Sequence, residues 1–295
     1  VPLPKFPPII VALILAGNDD SEKIFTLHQK LLDIVADFEI HIISIGSDGA
    51  AVEFQAQNLL QATKTRNRVQ YRNIQFGINF NCPVFPGIGP VIRIQDPKHG
   101  KKTARNAAML GARLLTFGNS IVRFDQLLKL SHQENSIIYK RDIIRLDRQD
   151  DNAAYRVFCS KNLAQVLDER KTLSFELRGL FIYLFVMGEL IDSYLNRNIT
   201  HYERIEMVMT TYFFLHLWKY HVETLSTIYP SYISVFKNFL SMQTFNIMIS
   251  LVEFLVLLVK IHRDYYEDIH LLPWKHEILQ IVPKIGQYFR TVQSD

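Results

Sequence analysis

Two short apolar runs in this chain each end at an acidic residue, and this pattern constrains the fold more than any other feature. The run IHIISIGSDG ends at Asp48, and the run VIRIQDPKHG ends at Asp96. Short runs rich in β-branched residues are typical of buried strands. In α/β folds, the ends of such strands are where metal-binding and catalytic side chains collect. The pattern therefore indicates an α/β protein with carboxylates at the edge of its sheet.

The order of elements supports an α/β fold in the first third of the chain. Strands are predicted at Ile9–Ala16, Ile40–Gly46 and Val91–Ile94, and helices at Thr26–Asp37 and Ala50–Ala62. Strand and helix in alternation predict parallel pairing of the strands. The segment Gly77–Pro90 contains three glycines and three prolines, which predicts a loop.

After about Lys101 the apolar residues recur with helical spacing, and few strand patterns remain. The predicted fold class is α/β, with an incomplete sheet over residues 1–110 followed by a large all-α helical region over residues 111–295. The stretch Phe245–Val259 is strongly apolar but is interrupted by polar residues. It is shorter than the roughly 20 apolar residues that a membrane span needs, so it predicts a buried helix and no membrane partner.

Composition, cysteine spacing and the absence of several motifs limit the class of protein. With 48% apolar residues among 295, the chain can form a core, and its net charge of +4 does not by itself indicate nucleic acid. Cys82 and Cys159 lack CxxC spacing, which favours reduced thiols in an intracellular protein. No signal peptide is predicted, and GxxxxGK[ST], GxSxG and HExxH motifs are absent from the sequence. Because the sequence does not begin with Met, we expect a piece of a longer chain.

Asp48 has two interpretations. A carboxylate at the end of a central strand, followed by Gly49, can reach a Mg²⁺ ion, and phosphoryl transfer with two metals needs several such carboxylates. Alternatively, Asp-Gly forms a turn in which Asp48 caps the helix that begins near Ala50. The local sequence favours the cap.

The segment from Asp96 to Arg105 also allows two interpretations. Pro97 suits the first turn of a helix with Asp96 as its N-cap, and His99 then lies within one turn of that carboxylate. Four cations follow at the start of this helix, where the helix dipole also favours phosphate: Lys98, Lys101, Lys102 and Arg105. The segment is either a DNA-phosphate site or a capped helix with a solvated basic face.

Two further charged stretches are less specific. Lys64, Arg66, Arg68 and Arg72 surround Tyr71, a pattern compatible with nucleic acid, although a solvated loop is the favoured interpretation. In the segment 141–156 acidic and basic residues alternate. This favours an exposed helix with local ion pairs over a cation site.

Taken together, SDG (Ser47–Gly49) and DPKHGKKTARN (Asp96–Asn106) resemble the eukaryotic cut-and-paste transposases of the P-element and THAP-domain type. The resemblance implies an RNase H-like core with a DDE triad, in which Asp48 matches the second catalytic Asp and ligates metal. Asp96 and His99 match the [C/D]-x-x-H pair at the site. Lys102, Arg105 and Asn106 match the basic run, and the helical region resembles the all-α insertion.

The resemblance implies strand cleavage and transfer on DNA with Mg²⁺ or Mn²⁺, in a nuclear protein that forms homo-oligomers. The motif of the first catalytic Asp is not recognisable, and Glu277 is a weak match to the triad's Glu. We therefore expect this chain to be catalytically inert. Two other functions stay open: a non-catalytic helical module that binds DNA or protein, and a small-molecule α/β enzyme that uses Asp96 and His99.

Overall fold

The computed structural model describes residues 20–273 except 110, 112, 145–146, 168–171, 268–270 and 272. The predicted strand Ile9–Ala16 and the candidate Glu277 lie outside this part. The strands are β1 Ser44–Ser47, β2 Asn67–Asn73, β3 Ile78–Phe85, β4 Gly89–Pro90, β5 Ile92–Gln95, β6 Leu115–Phe117 and β7 Ser120–Val122. The helices are α1 Ser21–Asp37, α2 Ala51–Ala62, α3 Pro97–Met109, α4 Phe124–Leu130, α5 Lys140–Ile144, α6 Asp151–Phe158, α7 Ser160–Gln165, α8 Arg178–Leu195, α9 His201–Ile228, α10 Val235–Asn238 and α11 Met242–Tyr265, with a 3₁₀ turn at Phe175–Leu177.

The predicted parallel pairing is confirmed. β1 and β5 pair in parallel, with Ser44 opposite Ile92 and Ser47 opposite Gln95. Between them the chain forms α2 and then an antiparallel sheet of β2, β3 and β4. The fold class is thus the predicted one, a mixed α/β part followed by a large helical region.

The loop predicted at Gly77–Pro90 is wrong for most of its length, because β3 occupies Ile78–Phe85. In this segment Ile78, Phe80 and Cys82 are buried, whereas the intervening asparagines point away from the core. Such alternation is the period of a strand with one buried face, and it outweighs the loop preference of the flanking glycines and prolines. The predicted solvated loop around Arg68 is likewise a strand, β2.

The helical region packs around α11. Thirteen side chains of this helix are buried, and α11 contacts β5, α3, α8 and α9. α11 is long and apolar enough to cross a membrane, but 72% of its most apolar stretch is buried inside the protein. This burial agrees with its interpretation as a core helix.

The helical half is less uniform than predicted. The short hairpin of β6 and β7 interrupts the region over residues 111–295 that was predicted to be all-α. Leu115 and Val122 of this hairpin are buried in a hydrophobic core that extends from β2 to α11. The β2–β3 hairpin, β5 and the helical region thus share this core, whereas α1, α2 and β1 pack around a second cluster made of Leu32, Val35, Ile45, Leu60, Ile88 and Val91.

Candidate functional site

The carboxyl ends of β1 and β5 lie side by side, and this arrangement creates the candidate site. The amide N–H of Asp96 donates to the carbonyl oxygen of Ser47 over 2.9 Å, so the residues after both strands are neighbours. Below them runs a buried polar chain. The hydroxyl of Ser47 donates to Oε1 of Gln95 over 3.0 Å, and Nε2 of Gln95 donates to Oε1 of Gln57 over 2.6 Å. These bonds hold the two strand ends in register.

Asp48 is exposed at this edge. Its Oδ1 accepts a hydrogen bond from the Ala50 amide over 3.0 Å, which closes a turn before α2 begins at Ala51. Ala50 is the N-cap of α2, and no side chain caps this helix. The favoured interpretation of Asp48 as the cap of this helix is therefore wrong: its side chain closes the turn before the helix, and the residue remains exposed.

Gly49 allows His99 to approach Asp48. Gly49 has φ +88°, and a Cβ built on it would lie 3.0 Å from Cδ1 of Ile247 and 3.4 Å from Cδ2 of His99. Nε2 of Gln243 also donates to the Gly49 carbonyl over 3.0 Å. A side chain at this position would be strained and crowded, so glycine is what permits the turn to pack on α3 and α11.

Asp96 caps α3, as the sequence predicted. Its Oδ1 accepts the Lys98 amide N–H over 2.9 Å, and the residue is only 3% exposed. Burial raises the pKa of Asp96, against the opposing effects of the Lys98 N–H and of the charges on Lys102 and His99. This carboxylate therefore has a structural role in addition to any chemical one.

His99 brings the predicted site residues together. Burial and the nearby charge of Lys102 lower its pKa, while the charges of Asp48, Asp96 and Asp151 oppose that shift. The imidazole ring therefore lies within electrostatic range of both strand-end carboxylates. A ring kept neutral near neutral pH retains a lone pair, which can accept a proton or bind a metal.

The cations of α3 are buried, which contradicts the exposed phosphate-binding face that the sequence suggested. Lys101 is 4% exposed, Lys102 2% and Arg105 0%, while Lys98 is half-buried. The solvated basic face is wrong for the same reason. Buried cations cannot reach a phosphate unless the protein opens, so their burial does not support the DNA-binding role predicted for Lys101, Lys102 and Arg105.

The segment 147–155 covers these cations. The guanidinium of Arg105 donates to the carbonyl oxygens of Asp147 and Asp150, at 2.5 and 3.0 Å. Nζ of Lys102 lies 3.3 Å from Oδ1 of Asp151, and Lys101 lies over the Tyr155 ring at 5.4 Å. These partners are more than 40 residues away in the sequence, so no local pattern could have indicated them.

A buried ion pair anchors this covering segment. Arg156 donates two hydrogen bonds to the carboxylate of Asp142, both of 2.7 Å, and Asp142 is 4% exposed. Burial by itself would raise the pKa of Asp142, but the hydrogen bonds from Arg156 and from the Tyr139 N–H lower it overall. The exposed helix with local ion pairs is therefore a wrong prediction for this segment, since its best-defined pair is buried and joins α5 to α6.

The donors at this edge do not complete a metal site within the described part of the chain. Across those residues, no group of three or more His, Cys, Asp or Glu side chains could hold a metal ion. Asp48 offers one exposed carboxylate, whereas Asp96 is engaged as a cap. These residues alone therefore do not fit the several carboxylates of a two-metal centre.

No protein-family model matches this sequence, and no curated protein matches it. A solved structure with a similar fold is the Drosophila P element transposase strand transfer complex, with a TM-score of 0.57 and 13% identity. The similarity covers 92% of this chain and 59% of the matched chain, so this chain spans less than two thirds of that protein's length. The fold is therefore transposase-like. At 13% identity, the similarity supports a conclusion about the fold alone.

Proposed function

We propose that this chain derives from a DNA transposase with an RNase H-like core of the DDE type. The observation that carries this proposal is the arrangement at the ends of two adjacent parallel strands, where the Asp96 N–H donates to the Ser47 carbonyl oxygen and the His99 ring lies against Gly49, next to Asp48. It occurs in a fold similar to that of a P element transposase. Residues 1–110 form the RNase H-like part in this proposal, and residues 111–295 form the helical insertion.

Each site residue has a distinct role in this proposal. Asp48 ligates a divalent ion, Mg²⁺ or Mn²⁺, because its carboxylate is exposed at the strand end. Asp96 fixes the start of α3 and so positions His99 beside Asp48. His99, kept neutral by burial, holds the turn at Gly49 and can accept a proton there.

The ancestral reaction in this proposal is metal-dependent cleavage and transfer of DNA strands, and the chain itself is inert. Two-metal phosphoryl transfer needs several carboxylates around the ions. The described residues provide one exposed carboxylate at this edge, and the other, Asp96, caps a helix. We expect no nicking of supercoiled plasmid with Mg²⁺ or Mn²⁺. Nicking by the wild-type chain that is lost in Asp48→Ala would show that the chain is active and contradict this expectation.

Calorimetry with Mn²⁺ tests the metal role of Asp48, with the wild-type chain, Asp48→Ala and the control Asp37→Ala, each with and without duplex DNA. Asp37 is an exposed carboxylate at the end of α1, away from the strand ends. Because Asp48 alone does not complete a metal site, we expect Mn²⁺ binding by the wild type and by Asp37→Ala only when duplex DNA supplies phosphate oxygens, and its loss in Asp48→Ala. Equal binding by all three proteins would reject Asp48 as a ligand.

The second candidate function is a non-catalytic DNA-binding module. It is favoured by the exposed cations of β2 and of the turn before it, which do not depend on a metal site. DNA binding that survives Asp48→Ala would support this alternative. The proposal also includes a nuclear location, which fluorescence imaging tests. It further includes homo-oligomer formation, which light scattering tests.

A further inference from the structure

The hairpin of β2 and β3 lies in an unusually acid-free part of the chain. Between Phe54 and Gln95 there is no Asp or Glu, whereas this stretch holds five cations, at positions 64, 66, 68, 72 and 93. Four of them are clustered in β2 and the turn before it. A surface built from such a stretch carries positive charge that no neighbour in the sequence neutralises, although Arg93 pairs with Glu253 of α11 over 3.1 Å.

The two faces of this hairpin differ in chemistry. Antiparallel register places Arg68 opposite Pro83, Gln70 opposite Asn81, and Arg72 opposite Asn79. Residues directly opposite each other share one face, so this outer face is composed of cationic and amide side chains. The other face carries Val69, Ile78, Phe80 and Cys82, which are buried in the core.

Most side chains of the outer face are exposed, but Asn81 is half-buried and Pro83 is buried, and part of the face is rigid. Lys64, Arg66, Arg68 and Arg72 are all exposed. Arg68 is fixed by bonds to Oδ1 of Asn81 and to the carbonyl oxygens of Gln61 and Thr63. Nε2 of Gln70 donates to Oδ1 of Asn79 over 2.7 Å.

Three cations remain available to a ligand. Within the residues that the structure describes, the side chains of Lys64, Arg66 and Arg72 make no hydrogen bond or ion pair. They contrast with the cations of α3, which contact carboxylates, carbonyl oxygens and a ring inside the protein. The free positive charge near the sheet therefore belongs to the hairpin and the turn before it.

We propose that the outer face of the β2–β3 hairpin binds double-stranded DNA as a two-stranded ribbon. Paired strands lie about 4.8 Å apart, and a ribbon of this width enters a major groove about 12 Å wide. Lys64, Arg66 and Arg72 then contact phosphates, while the amides of Gln70 and Asn81 face base edges. DNA as the ligand rests on the proposed function; the location of the contact rests on the hairpin.

The arrangement of the aromatic residues favours duplex over single-stranded DNA. Binding of single strands relies on aromatic side chains that stack with unpaired bases. Tyr71 is paired with Phe80 on the inner face of the hairpin, where the two rings stack with centroids 6.3 Å apart; Tyr71 is 40% exposed, but it lies on the face opposite Arg68 and Arg72. The outer strand positions carry no ring on which a base could stack, because they are occupied by Arg, Gln, Asn and Pro.

Fluorescence anisotropy with a labelled duplex, titrated over a range of salt concentrations, tests this contact. The test variant is Arg66→Gln with Arg72→Gln. The control is Lys161→Gln with Arg178→Gln, which removes the same two charges from exposed positions in the helical region. Losing two phosphate contacts should weaken binding roughly tenfold or more and reduce the slope of log K against log salt by about 2. The control should keep the wild-type slope.

Three other results would overturn the inference. Equal losses in both variants would mean that net charge alone matters, and the proposed function would stand. Tighter binding to a single strand of equal length would reject the duplex. No binding to either DNA would reject the contact and, with it, DNA as the ligand in the proposed function. Circular dichroism spectra of both variants should match the wild type, because the substituted side chains are exposed.

Discussion

The helix α3 and the strand β2 carry similar basic stretches in opposite environments. Each sequence window offers four cations within eight or nine residues. Those of α3 are largely buried under the segment 147–155, whereas those of β2 and the turn before it are exposed. Local charge density therefore does not predict exposure. What decides it is the chain that packs across the stretch, and for α3 that chain comes from a distant part of the sequence.

The comparison also separates structural charge from functional charge. Arg105 satisfies two carbonyl oxygens and Lys102 pairs with Asp151, so these cations hold the helical region against α3. Buried donors of this kind are costly to remove because their partners lose hydrogen bonds. Exposed cations contribute little to folding and are available for a ligand.

The largest expected effect is on stability, at Arg105. We expect Arg105→Ala to lower the free energy of unfolding by about 4 kcal/mol, since it removes a fully buried side chain and the two hydrogen bonds that it donates to the carbonyl oxygens of Asp147 and Asp150. Arg72→Ala, the matched change on the hairpin, should stay within about 0.5 kcal/mol of the wild type. Urea unfolding monitored by circular dichroism measures both. Similar small losses of stability in both variants would mean that the cations of the two stretches contribute equally little to folding.

The next effect concerns the anchor of the covering segment. Arg156→Ala should cost about 3 kcal/mol, because it leaves the buried Asp142 carboxylate without its partner. The lowered pKa of Asp142 adds stability that is present above about pH 4 and is lost as pH falls through the folded-state pKa.

The pH dependence provides a second readout for this pair. Urea midpoints at pH 5 and pH 3 should differ more in the wild type than in Arg156→Ala. Equal pH dependence of the two proteins would show that the pair does not set the pKa of Asp142. The covering segment would then need another anchor.

A smaller effect distinguishes two of the glycine turns of the α/β part. Gly49 and Gly77 both have positive φ, but a Cβ at Gly77 would meet nothing within 4 Å. Gly77→Ala should cost about 1 kcal/mol from backbone strain alone, and Gly49→Ala about 2 kcal/mol or more because Ile247 and His99 must also move. Thermal unfolding measures both changes. Equal costs would mean that His99 does not pack closely on the turn.

The features that could be predicted from the sequence are those that neighbouring residues determine. The helices at Thr26–Asp37 and Ala50–Ala62 agree with α1 and α2 to within a few residues, and parallel pairing followed from the order of elements. The Asp96 cap could be predicted because Asp-Pro at a helix start is a local signal. The neighbouring position of the two strand ends, where the Asp96 N–H donates to the Ser47 carbonyl oxygen, followed from the parallel pairing.

What could not be predicted depends on contacts between distant residues. The burial of Lys101, Lys102 and Arg105 is set by residues 147–155, and the Asp142–Arg156 pair joins two helices. β3 was missed because glycines and prolines at its ends concealed the alternation of Ile78, Phe80 and Cys82. A pass that counted alternation before turn residues would have found this strand.

The measurement that tests the contrast most directly is chemical footprinting of lysines and arginines, read by mass spectrometry with and without duplex DNA. Lys64, Arg66 and Arg72 should react rapidly in the free chain and become protected by DNA, whereas Lys101, Lys102 and Arg105 should react slowly in both states. Rapid reaction of the α3 cations, with protection by DNA, would contradict the account and assign the DNA contact to α3.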